Sequence, residues 1–184
     1  VALFCAWRFA RLDSSAIQYF NNTPEAFWRS FNAGLIALPA YGLLVLLSFA
    51  EHPVSESLVR ILFTEVIAYV IGWVLFPLVM VAFTDTMQCA DRYFQFIAAW
   101  NWSIVLQVFL FLAVSAFITS SNVPDSIGAL ISLTAMLAVI LYQGFIARIA
   151  LEISVPVAAI IVIIDLAVAI GLSLISRSLY LSVA

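Results

Sequence analysis

The fold is indicated most directly by residues 153–176, which read ISVPVAAIIVIIDLAVAIGLSLIS. Its one charged side chain is that of Asp165, near the middle. A helix of roughly 20 apolar residues crosses the hydrocarbon of a bilayer, where every backbone group bonds within its own helix. The stretch therefore predicts a transmembrane helix that carries a carboxyl group at membrane depth.

Four further stretches share this apolar character, at about residues 33–50, 58–83, 94–119 and 127–147. The 184 residues are 66% hydrophobic and 9% charged, with a mean hydropathy of +1.18. A soluble domain is about 45–50% apolar and about 25% charged. We therefore predict an all-α fold, a polytopic transmembrane bundle of about five spans that forms one domain over residues 24–184. Short connections make sequential spans antiparallel.

Residues 1–23 have a different pattern. Apolar side chains recur at helical spacing, beside two arginines, at Leu3, Phe4, Trp7 and Ala10. This pattern predicts an amphipathic helix that lies in the membrane interface. Thr23 then suits an N-cap, with Pro24 at the first helical position and Glu25 in the positively charged first turn. A new helix is expected to begin there and to lead into the first span.

The seven basic residues are all arginine, and their distribution predicts an orientation. With the N-terminus inside, the cytoplasmic side carries Arg8, Arg11, Arg29, Arg92 and Arg148, against Arg60 and Arg177 outside. This follows the positive-inside rule, so we expect a cytoplasmic N-terminus and a periplasmic C-terminus. The absence of lysine beside abundant Ala, Leu and Val indicates a bacterial source, and hence the inner membrane. No basic patch is dense enough for nucleic acid.

The sequence carries few residues for catalysis or metal binding. Cys5 and Cys89 are the only cysteines and His52 is the only histidine, which excludes bis-His haem and Cys₄ zinc sites. No nucleophile elbow, Walker loop or zincin motif is present. We therefore predict that the chain is not an enzyme and holds no metal, with membrane lipid as its expected companion.

Asp165 is the strongest candidate for a functional side chain, because a carboxylate at mid-membrane costs about 2.5–3.5 kcal/mol. Partners at a matching depth are Tyr69, Gln107 and Thr134 in three other spans. Glu65 lies nearer the outer surface in the second span. Two interpretations remain open, a hydrogen-bonded clasp between helices, which is favoured, and a proton or ion site.

The run Trp100, Asn101 and Trp102 follows several aromatic residues at the start of the third span. An aromatic belt at the interface is the simpler explanation. The alternative is a pocket for a pigment, a quinone or a lipid tail, since flat aromatic walls and one amide suit such ligands. His52 is a weaker candidate as a pigment or metal ligand.

Five spans, a cytoplasmic N-terminus, the lead-in at residues 23–28 and the aromatic segment 93–102 together resemble the bacterial branch of the Yip-domain family. The chain also looks like small membrane proteins of alphaproteobacteria. The Asp-Leu-Tyr-Gly-Pro motif of eukaryotic Yip proteins is absent, so the resemblance transfers no functional residue.

Three functions are compatible with these features. The leading hypothesis is a scaffold, assembly factor or accessory subunit that joins other membrane-protein subunits. The second is a small-solute or proton- or ion-coupled transporter that uses Asp165 and Glu65. The third is an accessory subunit that binds a pigment or a quinone.

Overall fold

A computed structural model describes residues 2–51, 57–121 and 123–181 of the chain. Within these ranges the structure is all-helical, and five helices are long and apolar enough to cross a membrane. The predicted fold class is therefore confirmed. The α-helices are α1 (Ala2–Ala10), α2 (Pro24–Ser30), α3 (Asn32–Glu51), α4 (Leu58–Thr86), α5 (Tyr93–Ser120), α6 (Asp125–Leu151) and α7 (Val155–Leu181).

The membrane helices extend beyond most of the predicted boundaries by one to a few residues. Hydropathy detects only the part of a helix that suits hydrocarbon, and a helix continues into the headgroup region until a cap ends it. Glu152 is such a cap, since its φ of 52° places it in the left-handed region and its N–H bonds to the Arg148 carbonyl. Because the chain turns there, α7 begins at Val155, two residues later than predicted.

The first span begins as its sequence predicts. The Thr23 hydroxyl accepts the Ala26 N–H at 3.2 Å, and Pro24 occupies the first position of α2. α2 and α3 are separated only at Phe31, whose backbone is itself helical, so they form one apolar span over Pro24–Phe49.

The five long helices pack as a ring. α3 packs closely on α5, α5 on α6, α6 on α7 and α7 on α4, whereas α4 touches α3 and α5 at few positions. Small side chains explain the close approach of α3 to α5, because Ala33 and Ala37 are fully buried against Val105. The looser contacts of α4 leave space inside the ring.

The main core lies in the half of the bundle nearest the N-terminus. Large side chains that are fully buried there include Phe9, Met80, Phe96, Trp100 and Ile146. Elsewhere the long helices expose most of their Leu, Ile, Val and Phe side chains. An apolar surface of that extent matches a hydrocarbon solvent rather than water.

α1 lies against α5 and α6 and divides its side chains between the bundle interior and an exposed side. Cys5 and Phe9 are buried in the bundle, and the Tyr142 hydroxyl donates to the Ala6 carbonyl at 2.9 Å. Phe4 and Trp7 are 63% and 55% exposed, as an apolar face directed into the interface requires. The amphipathic helix thus has a bundle-facing side that its sequence pattern did not reveal.

The turn after α1 is held by polar contacts. The Arg8 guanidinium pairs with the Asp13 carboxylate at 2.6 Å. The pKa of Asp13 is lowered by the hydrogen bonds from Ser15 and then by that from Arg8. Asp13 caps a 3₁₀-helix over Ser14–Tyr19, so the chain after α1 continues as a tight helical turn.

At the end of the bundle where the N-terminal segment lies, polar contacts hold the connections between helices together. Arg92 pairs with Glu152 at 2.6 Å and so joins the α4–α5 connection to the α6–α7 turn. The Asn22 side-chain amide donates to the Asp91 carbonyl, and its oxygen accepts the Gln95 N–H at 3.1 Å. The five arginines assigned above to the cytoplasm belong to this end of the bundle. The cytoplasmic orientation and the bacterial inner membrane stay predictions.

Candidate functional site: a cavity between two membrane carboxyl groups

Asp165 lies within the membrane part of α7, about 15 Å along the axis from the first residue of the helix at about 1.5 Å per residue. Its Oδ2 accepts the Gln143 Nε2–H of α6 at 3.1 Å. The same Nε2 donates to Gln107 Oε1 of α5 at 3.2 Å. The Gln143 amide therefore joins α5, α6 and α7 near mid-membrane.

The network continues along α5. Gln107 Nε2 donates to the Ser103 hydroxyl at 3.1 Å, and that hydroxyl donates to the Trp100 carbonyl at 2.6 Å. Gln107, Gln143 and Ser103 are all buried. These bonds satisfy the polar groups that burial would otherwise leave without partners.

Glu65 lies on α4, about 10 Å along the axis from Leu58 at the opposite face of the bundle. Its carboxylate accepts the Tyr41 hydroxyl of α3 at 2.8 Å and the Ser176 hydroxyl of α7 at 2.9 Å. Asp165 and Ser176 are about 16 Å apart along α7, so the two carboxyl groups occupy different depths.

Asp165 and Glu65 line the same cavity, which has a volume of about 330 Å³. It fills the space that the loose packing of α4 leaves inside the ring. Its walls come from α3, α4, α5 and α7, at Tyr41, Glu65, Ala68, Tyr69, Gly72, Trp73, Phe76, Pro77, Trp100, Asn101, Ile104, Val108, Asp165, Val168, Ala169, Leu172, Ser173 and Ser176. Among these lining residues the only ionisable carboxyl groups are Asp165 and Glu65, and none is Lys, Arg or His.

Aromatic rings form much of the cavity wall. The Tyr41 and Tyr69 rings lie 4.7 Å apart between centroids, and Trp73 lies 5.9 Å from Tyr69. Phe76 and Trp100 stack at 4.7 Å with an interplanar angle of 16°. The Trp100 Nε1–H is buried and has no hydrogen-bond partner in the described part of the chain. A donor of that kind at a cavity wall is suited to an acceptor on a ligand or a water molecule.

The structure brings most of the predicted polar residues to this site. Tyr69 lines the cavity with Asp165, although its hydroxyl donates to the Gly34 carbonyl at 2.7 Å. Gln107 reaches Asp165 through Gln143. Thr134 does not join them, because it is exposed on the outside of α6 and its hydroxyl bonds to the Leu130 carbonyl of the same helix.

The predicted aromatic pocket is divided between two sides of α5. Trp100 and Asn101 line the cavity, and Asn101 Nδ2 also donates to the Ser30 hydroxyl at 2.8 Å. Trp102 points to a different hollow, beneath the N-terminal segment beside Phe20 and Thr23. The three residues therefore do not form one pocket. His52 lies outside the described residues, and the pigment- or quinone-binding hypothesis stays a prediction.

Three contributors to the site were not identified from the sequence. Gln143 is a side-chain amide within an apolar span, and such groups bond across helices, so its residue type was an available signal. Tyr41 and Ser176 gave no comparable signal, because tyrosine and serine are common in membrane helices. The direction in which each side chain points also depends on how its helix is rotated about its axis, which packing sets. Within the described ranges no three His, Cys, Asp or Glu residues approach closely enough to hold a metal ion.

These features define an integral membrane protein of five apolar helices with a partly open cavity that two carboxyl groups line. No family model, curated protein or solved structure matches the chain. The resemblance to the Yip-domain family stays a prediction.

Proposed function

We propose that the protein is a small-solute or proton- or ion-coupled transporter in which Asp165 and Glu65 bind the transported or coupling cation. The observation that carries this proposal is that both carboxyl groups line one cavity, although about half a bilayer separates them in depth. If Asp165 served only as a hydrogen-bonded clasp between helices, it would need a partner on another helix but no cavity beside it.

The site has the general features of a transport site. Ionisable residues within membrane helices are costly and mark ion or substrate pathways. The cavity ends near Pro77 and Trp100, below which Met80 and Phe96 are fully buried. A cavity that stops at a tightly packed half of the bundle is compatible with alternating access, in which only one side is reached at a time.

The hydrogen bond from Gln143 can form with either protonation state of Asp165. A carboxylate at Asp165 accepts this N–H through Oδ2. A protonated Asp165 keeps one acceptor oxygen for Gln143 and directs its O–H elsewhere. The geometry therefore allows the carboxyl group to take up and release a proton while its helix contact is kept.

The proposal is tested with purified protein in liposomes under an imposed membrane potential. Proton entry is followed with a trapped pH dye, and sodium entry with radioactive ²²Na⁺. We expect at least one of these fluxes to exceed that of empty liposomes, to fall at least tenfold in Asp165→Asn, and to fall in Glu65→Gln. Asp125→Asn is the matched control, because Asp125 is exposed at the start of α6.

Two outcomes would overturn the proposal. One is that neither ion, nor a radiolabelled small organic cation such as tetraethylammonium, crosses faster with the protein than without it. The other is that Asp165→Asn, shown to be folded by size-exclusion chromatography, carries the wild-type flux.

The scaffold or accessory-subunit hypothesis draws no support from the cavity and stays a prediction. The same holds for partner subunits and for the prediction that the chain is not an enzyme.

A further inference from the structure

The shape of the cavity bears on the class of substrate. Its volume of about 330 Å³ lies within the range of about 300–1,000 Å³ that is typical of sites for small organic ligands. A bare proton or sodium ion needs far less space. The cavity therefore suits a molecule with several non-hydrogen atoms.

The charges of the wall select one sign of ligand. Asp165 and Glu65 are the ionisable carboxyl groups among the lining residues, and no lining residue is basic. The remaining polar lining includes Asn101, Ser173 and Ser176, which are neutral. In a medium of low dielectric constant this arrangement attracts a cation and repels an anion.

The aromatic wall adds a second preference for a cation. The faces of Trp, Tyr and Phe attract a positive charge within about 6 Å of the ring centroid, and quaternary ammonium groups are held in this way. The rings of Tyr41 and Tyr69, both only partly buried, belong to this cavity, and the partly buried Trp73 ring lies beside Tyr69. Organic groups around the positive centre would also pack against these rings.

From this combination we infer that the cavity binds a monovalent organic cation of the quaternary ammonium or phosphonium type, with its positive centre drawn to Asp165 and its organic groups against the aromatic wall. The inference deepens the proposed function and rests on it for movement across the membrane. Binding itself can be measured separately.

The probe is tritiated tetraphenylphosphonium, measured by equilibrium dialysis against the purified protein in a mild detergent. Radiolabelled tetraphenylborate is its matched control, because it has nearly the same shape and the opposite charge. It is dialysed in a separate cell, since the two ions pair with each other. We expect saturable binding of tetraphenylphosphonium that unlabelled phosphonium displaces, and no saturable binding of tetraphenylborate. Asp165→Asn should weaken binding at least tenfold, and Asp125→Asn should leave it unchanged.

Two substitutions of Tyr69 test the contribution of the aromatic wall independently of the Asp165 carboxyl group. Tyr69→Phe keeps the ring and should change the affinity less than threefold, whereas Tyr69→Leu removes the ring and should weaken binding by threefold or more. Size-exclusion profiles establish that each variant is folded.

The outcomes distinguish this inference from the proposed function. Ion flux without saturable phosphonium binding would overturn the substrate class alone. Phosphonium binding without flux of protons, sodium or a small organic cation would overturn the transport function and leave the cation site standing. Saturable binding of tetraphenylborate with an equal affinity would overturn the inference, because charge would then play no part.

Discussion

Gln143 Nε2 lies 3.1 Å from Asp165 Oδ2, and this contact joins the centres of α6 and α7. The second N–H of the same amide bonds to Gln107 Oε1 at 3.2 Å. One side chain thus holds the membrane carboxyl group in place and ties it to α5. The position of Asp165 in the cavity depends on this amide.

The first prediction concerns the coupling of these two residues. In a double-mutant cycle with Gln143→Leu and Asp165→Leu, we expect a coupling energy of about 0.6 kcal/mol and at most about 1.7 kcal/mol, the range for hydrogen bonds between membrane helices. The free energy of unfolding is measured by denaturation with sodium dodecyl sulfate in mixed micelles.

The control for this cycle combines Gln143→Leu with Glu65→Gln. Gln143 and Glu65 share no hydrogen-bond partner among those described, so their effects should add to within about 0.5 kcal/mol. A cycle between Gln143 and Asp165 that is also additive would contradict the structural role given to the amide.

The second prediction compares two glycines of α3. A Cβ at Gly34 would lie 3.1 Å from the Trp73 ring, whereas a Cβ at Gly42 would meet nothing within 4 Å. Gly34→Ala should therefore destabilise the protein by about 1–3 kcal/mol, the usual cost of overpacking. Gly42→Ala should be neutral or stabilising by up to about 1 kcal/mol, because alanine favours a helix.

The same pair of variants also tests the cavity, because Trp73 lines it. Gly34→Ala should alter binding of the phosphonium probe, and Gly42→Ala should not. If the two variants were equally stable, that result would contradict the close contact between Gly34 of α3 and the Trp73 ring.

The third prediction concerns Glu152, which has a φ of 52° at the end of α6. Both Glu152→Gly and Glu152→Ala remove the exposed ion pair with Arg92, which is worth at most about 1 kcal/mol. They differ in backbone preference, since only glycine adopts the left-handed region freely. Glu152→Gly should therefore be more stable than Glu152→Ala by about 1–2 kcal/mol in the same unfolding assay. Equal stabilities would argue against this cap.

The fourth prediction concerns the exposed face of α1. Trp7 is 55% exposed and Trp100 is fully buried. In liposomes of brominated phospholipid, Trp7→Phe should lower the fraction of tryptophan fluorescence that the bromine quenches, because a lipid-facing emitter is lost. Trp100→Phe should raise that fraction, because a shielded emitter is lost. An unchanged fraction in Trp7→Phe would place α1 away from the lipid.

The spans could be predicted from the sequence because hydropathy is a local property of each segment. The face of α7 was also predictable, since Asp165, Ala169 and Ser173 share one side of the helix and all line the cavity. The partners of Asp165 were harder to predict. Thr134 and Gln143 are both polar residues of α6, but packing alone decides which of them faces inward.

The cavity itself could not be predicted from the sequence. It arises because α4 packs on α7 and only loosely on α3 and α5, a relation between distant helices that no single segment encodes. Tyr41 and Ser176 meet Glu65 through the same arrangement. Residues at a matching depth in the membrane are candidate partners. Depth does not determine how a helix is rotated about its axis, and this rotation decides which of them face each other.

The most direct test of the account is the water accessibility of two neighbouring alanines on α7. Both alanines are exposed, but Ala169 lines the cavity, whereas Ala167 lies on α7 outside the cavity lining. In protein with Cys5→Ala and Cys89→Ala, we predict that Ala169→Cys reacts with a small, charged, water-soluble thiol reagent in liposomes and that Ala167→Cys does not. Failure of Ala169→Cys to react, or equal reaction at both positions, would contradict a hydrated cavity between Glu65 and Asp165.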